Sequence, residues 1–530
     1  MINLRDFLRT LLLLVFTTSG AFAGPYEDAL PKFAADSYSD TEAAIGTVAA
    51  SGHPLSLPLV EALRDGRLLA SAGQVFIREP SGGLINAATG QAFGPVPADL
   101  KPVRLNNRVR RAIEAAMGGL TLLSSGAAAR REAARAVFRS RDAAALRTIE
   151  QAIAREADPD LKLALQAARA SILLGNEAAS TADRLWAVET LRERGDQDAL
   201  ALLSSLPAGT QPEIVEPADR AADSIRSRLA LWSALQNVWY GVSLGSVLLL
   251  AAIGLSITFG TMGVINMAHG EMVMLGAYTT FVVQEIIRTH VPSLFGASLF
   301  IALPLAFVVT GGVGVLIERT VIRFLYGRPL ETLLATWGLS LILQQAVRTI
   351  FGPMNREVGT PAWMSGALEL GGLSLTYNRM AIVLFAFAAF GTLLLVMKYT
   401  SLGLYMRAVT QNRRMAGSIG IRTNRIDALA FGLGSGVAGI AGVALSQIDN
   451  VSPNLGQGYI IDSFMVVVFG GVGNLWGTLV GAMTLGVANK LLEPYAGAVL
   501  GKILLLVAII LFIQRRPRGL FALKGRAVEA

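Results

Sequence analysis

The sequence predicts an all-α protein in two parts: a soluble, mostly helical domain followed by a polytopic membrane helix bundle. Three observations lead to this prediction. Six apolar stretches of about twenty residues, each long enough to cross a bilayer core of about 30 Å, follow residue 238. The region before them is polar and rich in alanine, with helical periodicity. Of the 530 residues, 53% are hydrophobic and only 16% are charged.

Residues 1–23 have the three parts of a secretory signal peptide. Arg5 and Arg9 form a basic start, Thr10–Thr18 is a short apolar run, and Ala21-Phe22-Ala23 fits a cleavage site. The apolar run is too short for an ordinary transmembrane helix. We therefore expect residue 24 onward to lie outside the cytoplasm.

Residues 24–206 are expected to form the soluble, extracytoplasmic helical domain. The expected helices cover residues 131–139, 143–156, 161–174, 182–194 and 198–206. Residues 133–146 match residues 187–200 at an offset of 54, which suggests stacked, HEAT-like helix pairs. Chance similarity between Ala-rich helices remains the alternative.

Two further segments interrupt this helical pattern. Gln74–Gly94 is interpreted as a small hairpin or loop insertion. Residues 207–237 contain three prolines and are predicted to be a linker to the membrane domain.

The membrane domain is predicted to cover residues 238–514, with a basic cytoplasmic tail at 515–530. The first six spans are expected near 238–260, 262–283, 298–317, 332–350, 381–397 and 428–446. A long apolar stretch, 461–489, should break at its glycines into two short crossings or a re-entrant hairpin, before a last span at 496–513. This predicts about seven to nine crossings.

Basic residues are distributed unevenly between the predicted loops. From residue 238 onward there are 20 Lys and Arg against 11 Asp and Glu, while the whole chain has a net charge of +8. If the first span enters from outside, 14 basic residues fall in cytoplasmic segments and four outside. Because Lys and Arg concentrate in cytoplasmic loops, the sequence predicts an outer N-terminal domain and an inner C-terminus in a bacterial inner membrane.

Polar residues inside apolar stretches are the candidates for a transport pathway. Residues 263–278, GVINMAHGEMVMLGAY, contain Asn266, His269 and Glu271. Polar and ionisable groups are costly at membrane depth, so they usually have a partner or a function. The alternative, that these side chains only bond helices together, stays open.

A second glycine-rich segment, residues 459–482, contains Asp462 and Asn474. Glycine-interrupted segments in the two halves of a transporter often mark its central site, and 260–277 and 469–486 would form such a pair. Close packing of helices through glycine is the equally weighted alternative.

The long loop from Lys398 to Arg425 is basic and contains no acidic residue. Met406–Ile419 is predicted to form one amphipathic helix, with Met406, Val409 and Met415 on one side, that docks in a groove of a partner protein. A loop that only fixes topology is the alternative.

Several functional classes are excluded by residues that the sequence lacks. It contains no cysteine, and its three histidines are isolated, so neither a disulfide nor a metal site is expected. GAVLGKI at 497–503 lacks the spacing and the hydroxyl of a P-loop, so we expect no ATP hydrolysis by this chain. The basic surplus belongs to membrane loops and not to a nucleic-acid surface. No cofactor is expected.

Three motifs in order resemble the branched-chain amino-acid type of ABC importer permease. They are residues 254–278, the loop RAVTQNRRMAGSIGI at 407–421 and FGGVGNLWGTLVGA at 469–482, and the resemblance covers roughly 235–520. The predicted signal peptide and long extracytoplasmic domain look like the urea-transport permease of the same family.

The resemblance implies a heteromeric importer that contains separate ATPase subunits, a second permease and a periplasmic substrate-binding protein. It places the ATPase-coupling helix in 407–421, which gives the coupling-loop candidates Arg407, Arg413, Arg414, Met415, Gly417 and Gly420. The expected substrate is urea, and branched-chain or other amino acids are the alternative. A self-sufficient channel or proton-coupled transporter is the alternative of another class.

Overall fold

The structure is a computed structural model that describes residues 24–521, apart from residues 72, 80–81, 95–96, 98, 123–125 and 208. The predicted signal peptide and residues 522–530 of the predicted tail lie outside the described residues. The chain divides into two compact units, Met1–Leu229 and Ala230–Ala530.

Helices dominate the first unit, as the periodic Ala-rich sequence predicts. They are α1 (Pro25–Phe33), α2 (Tyr38–Ser51), α3 (Ser56–Arg64), α4 (Asn107–Thr121), α5 (Ala127–Ser140), α6 (Leu146–Arg155), α7 (Pro159–Gly175), α8 (Thr181–Arg194) and α9 (Gln197–Ser204). Helix α7 illustrates how the sequence sets a start: Asp158 Oδ1 accepts the Leu161 amide, and Pro159 occupies the first helical position.

The two segments that match at an offset of 54 residues form the same turn. Helices α5 and α8 are followed by Arg141 and Gly195, which have left-handed φ angles of 55° and 62°. The next residues, Asp142 and Asp196, each accept a backbone N–H at the start of the following helical segment. The similarity therefore extends to a shared helix–turn–helix, while the HEAT-like class stays a prediction.

The predicted hairpin belongs to a larger antiparallel sheet with the order β4-β3-β2-β1-β5. Its strands are β1 (Leu68–Ser71), β2 (Gln74–Arg78), β3 (Leu84–Asn86), β4 (Ala92–Phe93) and β5 (Lys101–Pro102). In β2, Val75 and Ile77 pack on the α1–α4 core, while Phe76 packs with Leu69 and Leu84 on the other face. Because both faces are covered, the strand has the unbroken apolar run VFI.

The second unit is a helix bundle with one extended hairpin. Its helices are α10 (Pro212–Met262, which begins in the first unit), α11 (His269–His290), α12 (Ser298–Thr320), α13 (Pro329–Phe351), α14 (Tyr377–Tyr399), α15 (Ser401–Gln411), α16 (Arg413–Ser418), α17 (Thr423–Leu445), α18 (Leu455–Gly470) and α19 (Leu475–Arg515). Strands β6 (Ala367–Leu370) and β7 (Leu373–Thr376) pair with each other. The predicted linker, 207–237, is helical from Pro212 onward.

Five helical stretches of the described chain are long and apolar enough to cross a membrane. They are Pro212–Met262, Pro292–Phe324, Tyr377–Tyr399, Thr423–Leu445 and Leu475–Arg515, and Leu455–Gly470 is a shorter apolar helix. Helices α11 and α13 have a suitable length but contain polar side chains, and some of these, such as Glu271 and Gln344, are buried in the bundle. The helices support the predicted bundle, while the number of crossings stays a prediction.

Glycines with positive φ angles end or interrupt several helices of the second unit, and the sequence predicted only some of these positions. The predicted span 262–283 is wrong at its start, because the chain leaves the helix at Gly263 and α11 begins at His269. The stretch 461–489 breaks where glycines predicted it, since Gly471 and Gly473 have φ angles of 108° and 80°. Gly497 interrupts α19 again with a φ of 76°.

Helix α17 lies at the centre of the bundle and touches its neighbours through backbone atoms. A Cβ on Gly276 of α11 would lie 2.1 Å from the Gly439 oxygen, and one on Gly254 of α10 would lie 2.3 Å from the Gly434 oxygen. A Cβ on Gly314 of α12 would overlap the Ser435 side chain of α17. These approaches require glycine, as is common where membrane helices pack tightly.

Candidate functional site

Glu271 lies in the first turn of α11 and is bound by two side chains of α13. Its Oε1 accepts hydrogen bonds from Ser340 Oγ and Gln344 Nε2, both at 2.8 Å. The side chain is only 1% exposed, and Oε2 has no partner within the described part of the chain. Glu271 therefore joins two helices through neutral donors at a buried position.

His269, two residues earlier, bonds back to α10. Its Nε2 lies 2.9 Å from the Ala251 carbonyl oxygen. Because a carbonyl only accepts hydrogen bonds, Nε2 must carry the hydrogen. The ring fills the space opposite Gly254, where a Cβ would lie 2.8 Å from its Cε1, and Nδ1 has no partner among the residues described.

Asn266 shapes the non-helical turn between α10 and α11. Its Oδ1 accepts the Ala268 amide at 3.0 Å, and the amide of the intervening Met267 donates to Thr336 Oγ1 at 3.1 Å. Asn266 and Met267 also line a small, mostly apolar cavity of about 110 Å³, together with Phe464. Asn266 therefore both shapes the turn and lies beside a cavity.

The second glycine-rich segment does not join this group as a single site. Asp462 of α18 forms an ion pair with Lys502 of α19 at 2.8 Å. Asn474 is the N-cap of α19, where its Oδ1 accepts the Gly477 amide at 3.1 Å. Asp462 is buried, whereas about half of the Lys502 side chain is exposed. The five pathway candidates therefore occupy separate settings, and their role in transport stays a proposal.

The predicted helix 406–419 is instead two helices. Asn412 ends α15 and caps α16, because its Oδ1 accepts the Met415 amide at 3.0 Å. The placement of Met406, Val409 and Met415 on one side is wrong: Met406 and Val409 are buried, while Met415 is 62% exposed. Gly420, with a φ of 93°, ends the turn after α16, and Gly417 has open space around it.

Arg413, one of the predicted coupling-loop residues, forms an ion pair within the chain. Its guanidinium forms a two-pronged ion pair with Asp427, which lies at the start of α17 and is fully buried. The guanidinium also lies over the Tyr326 ring, 4.6 Å from its centroid. Arg413 thus anchors α16 to the central helix.

The anchor continues into the preceding loop. Tyr326 Oη donates to Glu318 Oε1 at 3.0 Å. Burial, followed by the nearby Asp427 and Glu318 carboxylates, raises the pKa of Tyr326, so the phenol stays a neutral donor at physiological pH. Glu318 and Asp427 are acidic residues within apolar helices, a sequence feature that marks buried or functional carboxylates. Our pathway candidates nevertheless omitted both residues.

Exposed apolar side chains lie beside this anchor. Met415 and Ile419 are 62% and 69% exposed, and Arg414 next to them has no ion-pair partner among the described residues. Arg407 lies on α15 and lines a different surface, a cavity with Trp476. No cluster of three or more His, Asp or Glu that could hold a metal ion occurs in the described part of the chain.

Comparisons with known proteins relate the second unit to transport proteins. Residues 237–513 match the family described as "Branched-chain amino acid transport system / permease component". No solved structure matches the chain.

Individual relatives cover the same part of the chain. The high-affinity branched-chain amino acid transport system permease protein LivH of Salmonella typhimurium is 31% identical over 296 residues, which are 54% of this chain and 94% of the relative. The corresponding protein BraD of Pseudomonas aeruginosa is 29% identical over 55% and 96% of the two chains. The ribose import permease protein RbsC of Escherichia coli K12 is 26% identical over 48% and 77%.

Two substitutions at Glu271 separate its hydrogen bonds from its charge. Glu271→Gln keeps an acceptor for Ser340 and Gln344, so we expect a melting temperature close to that of the native chain. Glu271→Leu leaves both buried donors without a partner, which should cost about 2–4 kcal/mol of unfolding free energy. Thermal unfolding of the purified variants measures this difference. Equal melting temperatures for the two variants would contradict the described bonding.

Neighbouring arginines provide a matched test of the α16 anchor. Arg413→Gln leaves Asp427 buried without its cation, whereas Arg414→Gln removes an exposed charge. Because Arg413 is partly exposed, we expect a loss of about 2 kcal/mol, below the range for fully buried pairs, and a melting temperature lowered by about 5 °C. Arg414→Gln should change it by less than about 1 °C. If both variants melt alike, Arg413 is not an anchor.

Proposed function

The chain belongs to the family of branched-chain amino acid transport system permease components, and from this we propose that it is the membrane permease subunit of an ATP-driven importer of small polar solutes. The family match covers 237–513, which is most of the second unit. This single observation carries the proposal. ATP hydrolysis would take place on separate subunits, and a second permease and a substrate-binding protein would complete the importer.

The loop between α14 and α17 supports a mechanical role in such an importer. Arg413 connects α16 to Asp427 at the start of the central helix. Met415 and Ile419 on the same short segment are exposed. A partner ATPase that binds these apolar side chains would therefore act on α17 through a charged, partly buried link, and alternating access would follow from movement of α17 against its neighbours.

The relatives favour amino acids over urea as the substrate. Both LivH and BraD are named for branched-chain amino acids. The Asp462–Lys502 pair adds a chemical argument, because a half-exposed ammonium beside a carboxylate matches the opposite charges of a zwitterion. We therefore propose an amino acid as the substrate, in place of the urea suggested by the sequence resemblance.

Urea remains a second candidate because of the first unit. The match to LivH takes up 94% of that relative, so LivH has no room for a counterpart of residues 24–206. A permease preceded by such a domain resembles the urea-transport permease, as the sequence indicated. Neutral hydrogen-bonding groups such as Asn266 would suit urea better than charged ones.

Competitive uptake distinguishes the two substrates. Cells with and without this chain would be given labelled leucine and labelled urea, each with an excess of the other unlabelled. We expect leucine uptake to depend on the chain and to be unaffected by excess urea. Urea uptake that depends on the chain and resists excess leucine would reverse the assignment. Intact uptake in cells without the ATPase would instead favour a self-sufficient channel or proton-coupled transporter.

Met415→Glu tests the proposed ATPase-docking surface. A charge placed in a desolvated apolar contact should weaken co-purification of the ATPase by at least about tenfold. The matched control is Met354→Glu, because Met354 is similarly exposed but lies in the loop after α13. Quantitative pull-down through the permease gives the measurement. Equal ATPase recovery with both variants would exclude Met415 from the contact.

A further inference from the structure

A cavity of about 460 Å³ lies at the point where α10, α14, α15 and α19 meet. Its lining includes Lys398 at the end of α14 and Arg407 on α15. Both residues fall in loops that the distribution of basic residues assigns to the cytoplasmic side. The cavity is separate from the Glu271 group and from the exposed side chains of α16.

The charge of this cavity is unbalanced. Its lining contains Lys398 and Arg407 but no Asp or Glu. Neither cation has an ion-pair partner among the described residues, although the Lys398 ammonium lies 5.2 Å from the centroid of the Tyr399 ring. Two unpaired cations in one concave surface attract an anion.

Further polar groups add to this attraction. The first turn of α19 contributes Leu475 and Trp476 to the wall, so the positive end of the helix dipole is directed at the same cavity. Thr261 and Thr410 supply hydroxyl groups. Thr410 Oγ1 donates to the Met406 carbonyl at 2.8 Å and can still accept a hydrogen bond.

One wall of the cavity is apolar. Leu394, Met397 and Trp476 line it, and Trp476 is 57% exposed and packs edge-on against Phe390 at 5.6 Å. These residues belong to α14 and the start of α19, whose apolar surfaces are largely unburied within the chain. Tryptophan is enriched at the boundary between hydrocarbon and headgroups.

The back of the cavity is formed by a close helix approach. A Cβ on Gly260 of α10 would lie 2.5 Å from Gly473 Cα, so α10 and the turn before α19 are in backbone contact. Gly473 has a φ of 80°, which favours glycine there. The cavity therefore has a rigid back formed by glycine contacts, a cationic side, and an apolar side formed by α14 and the start of α19.

We propose that this cavity binds the phosphate headgroup of an acidic phospholipid, with Lys398 and Arg407 on the phosphate and the first acyl carbons along Leu394, Met397 and Trp476. Basic cavities between membrane helices on the cytoplasmic side have this chemistry. A free phosphate ion would use the cations but leave the apolar wall without a function. In this proposal Arg407 binds a lipid phosphate, whereas the exposed side chains of α16 bind the ATPase.

Binding of phosphatidylglycerol to the full-length chain, purified with its co-purifying subunits, tests the proposal. The chain would be reconstituted in phosphatidylcholine nanodiscs with increasing phosphatidylglycerol, and bound phosphatidylglycerol measured by native mass spectrometry. Lys398→Gln with Arg407→Gln should weaken binding about thirtyfold, since each cation contributes about 1 kcal/mol and a tenfold change corresponds to about 1.4 kcal/mol. The control, Arg422→Gln with Arg425→Gln, removes two exposed charges from the same loop.

Each outcome decides the assignment. Selective loss in the Lys398/Arg407 variant, with native binding in the control, supports it. Equal loss in both variants would show that overall charge attracts the lipid and would overturn the site. Displacement of the lipid by millimolar inorganic phosphate would identify a small-anion site instead. A Trp476→Ala variant that loses phosphatidylglycerol but still binds inorganic phosphate would support the lipid assignment further.

Discussion

Backbone contact between α17 and its neighbours is the constraint on which the bundle depends. Membrane helices gain nothing from hiding apolar side chains from lipid, so their association depends on close packing and on polar bonds. In α17, Gly434 and Gly439 bring the helix against α10 and α11, and Ser435 faces Gly314 of α12. At Gly434 and Gly439 these approaches leave no room for a side chain between the helices. A bundle packed at this distance transmits a displacement of α17 directly to three neighbouring helices, because packed interiors compress little.

The same packing explains why the start of α17 needs Arg413. Asp427 is fully buried at that point, and a buried carboxylate is costly unless a cation and hydrogen bonds compensate it. Arg413 supplies both from outside the helix, and the Tyr326 ring stacks against the guanidinium while its hydroxyl continues the link to Glu318. The loop between α14 and α17 is therefore attached to the central helix by Arg413, the cation that the buried Asp427 needs. We therefore expect replacement of Arg413 to lower stability and, under the proposed function, to weaken coupling as well, whereas replacement of Met415 should affect only the outer surface.

The sequence predicted the helical bundle well because apolar length and glycine position are local properties. It located the break at Gly471 and Gly473, and helices α5 to α9 of the first unit, but it did not locate α1 to α4. It did not locate the start of α11, since an apolar run continues through Gly263 although the chain leaves the helix there. It merged α15 and α16, because helical periodicity does not register a cap at Asn412. The partners of Glu271 were also hidden: Ser340 and Gln344 lie about 70 residues away along the chain, and only the packing of α11 on α13 brings them together.

Three arginines of one basic loop show why composition alone does not assign a role. All three agree with the rule that Lys and Arg concentrate in cytoplasmic loops, but this rule counts charges without considering their surroundings. Burial separates them. A fully buried Asp427 engages Arg413, so this cation already has a partner within the chain. Arg407 lines a cavity without acidic residues, so its charge is available to an anion. Arg414 stays exposed beside Met415 and Ile419, where an arginine can take part in a protein contact because its guanidinium is weakly hydrated. The distribution of buried carboxylates, and not the number of basic residues, therefore determines which cations of the loop can act outside the chain.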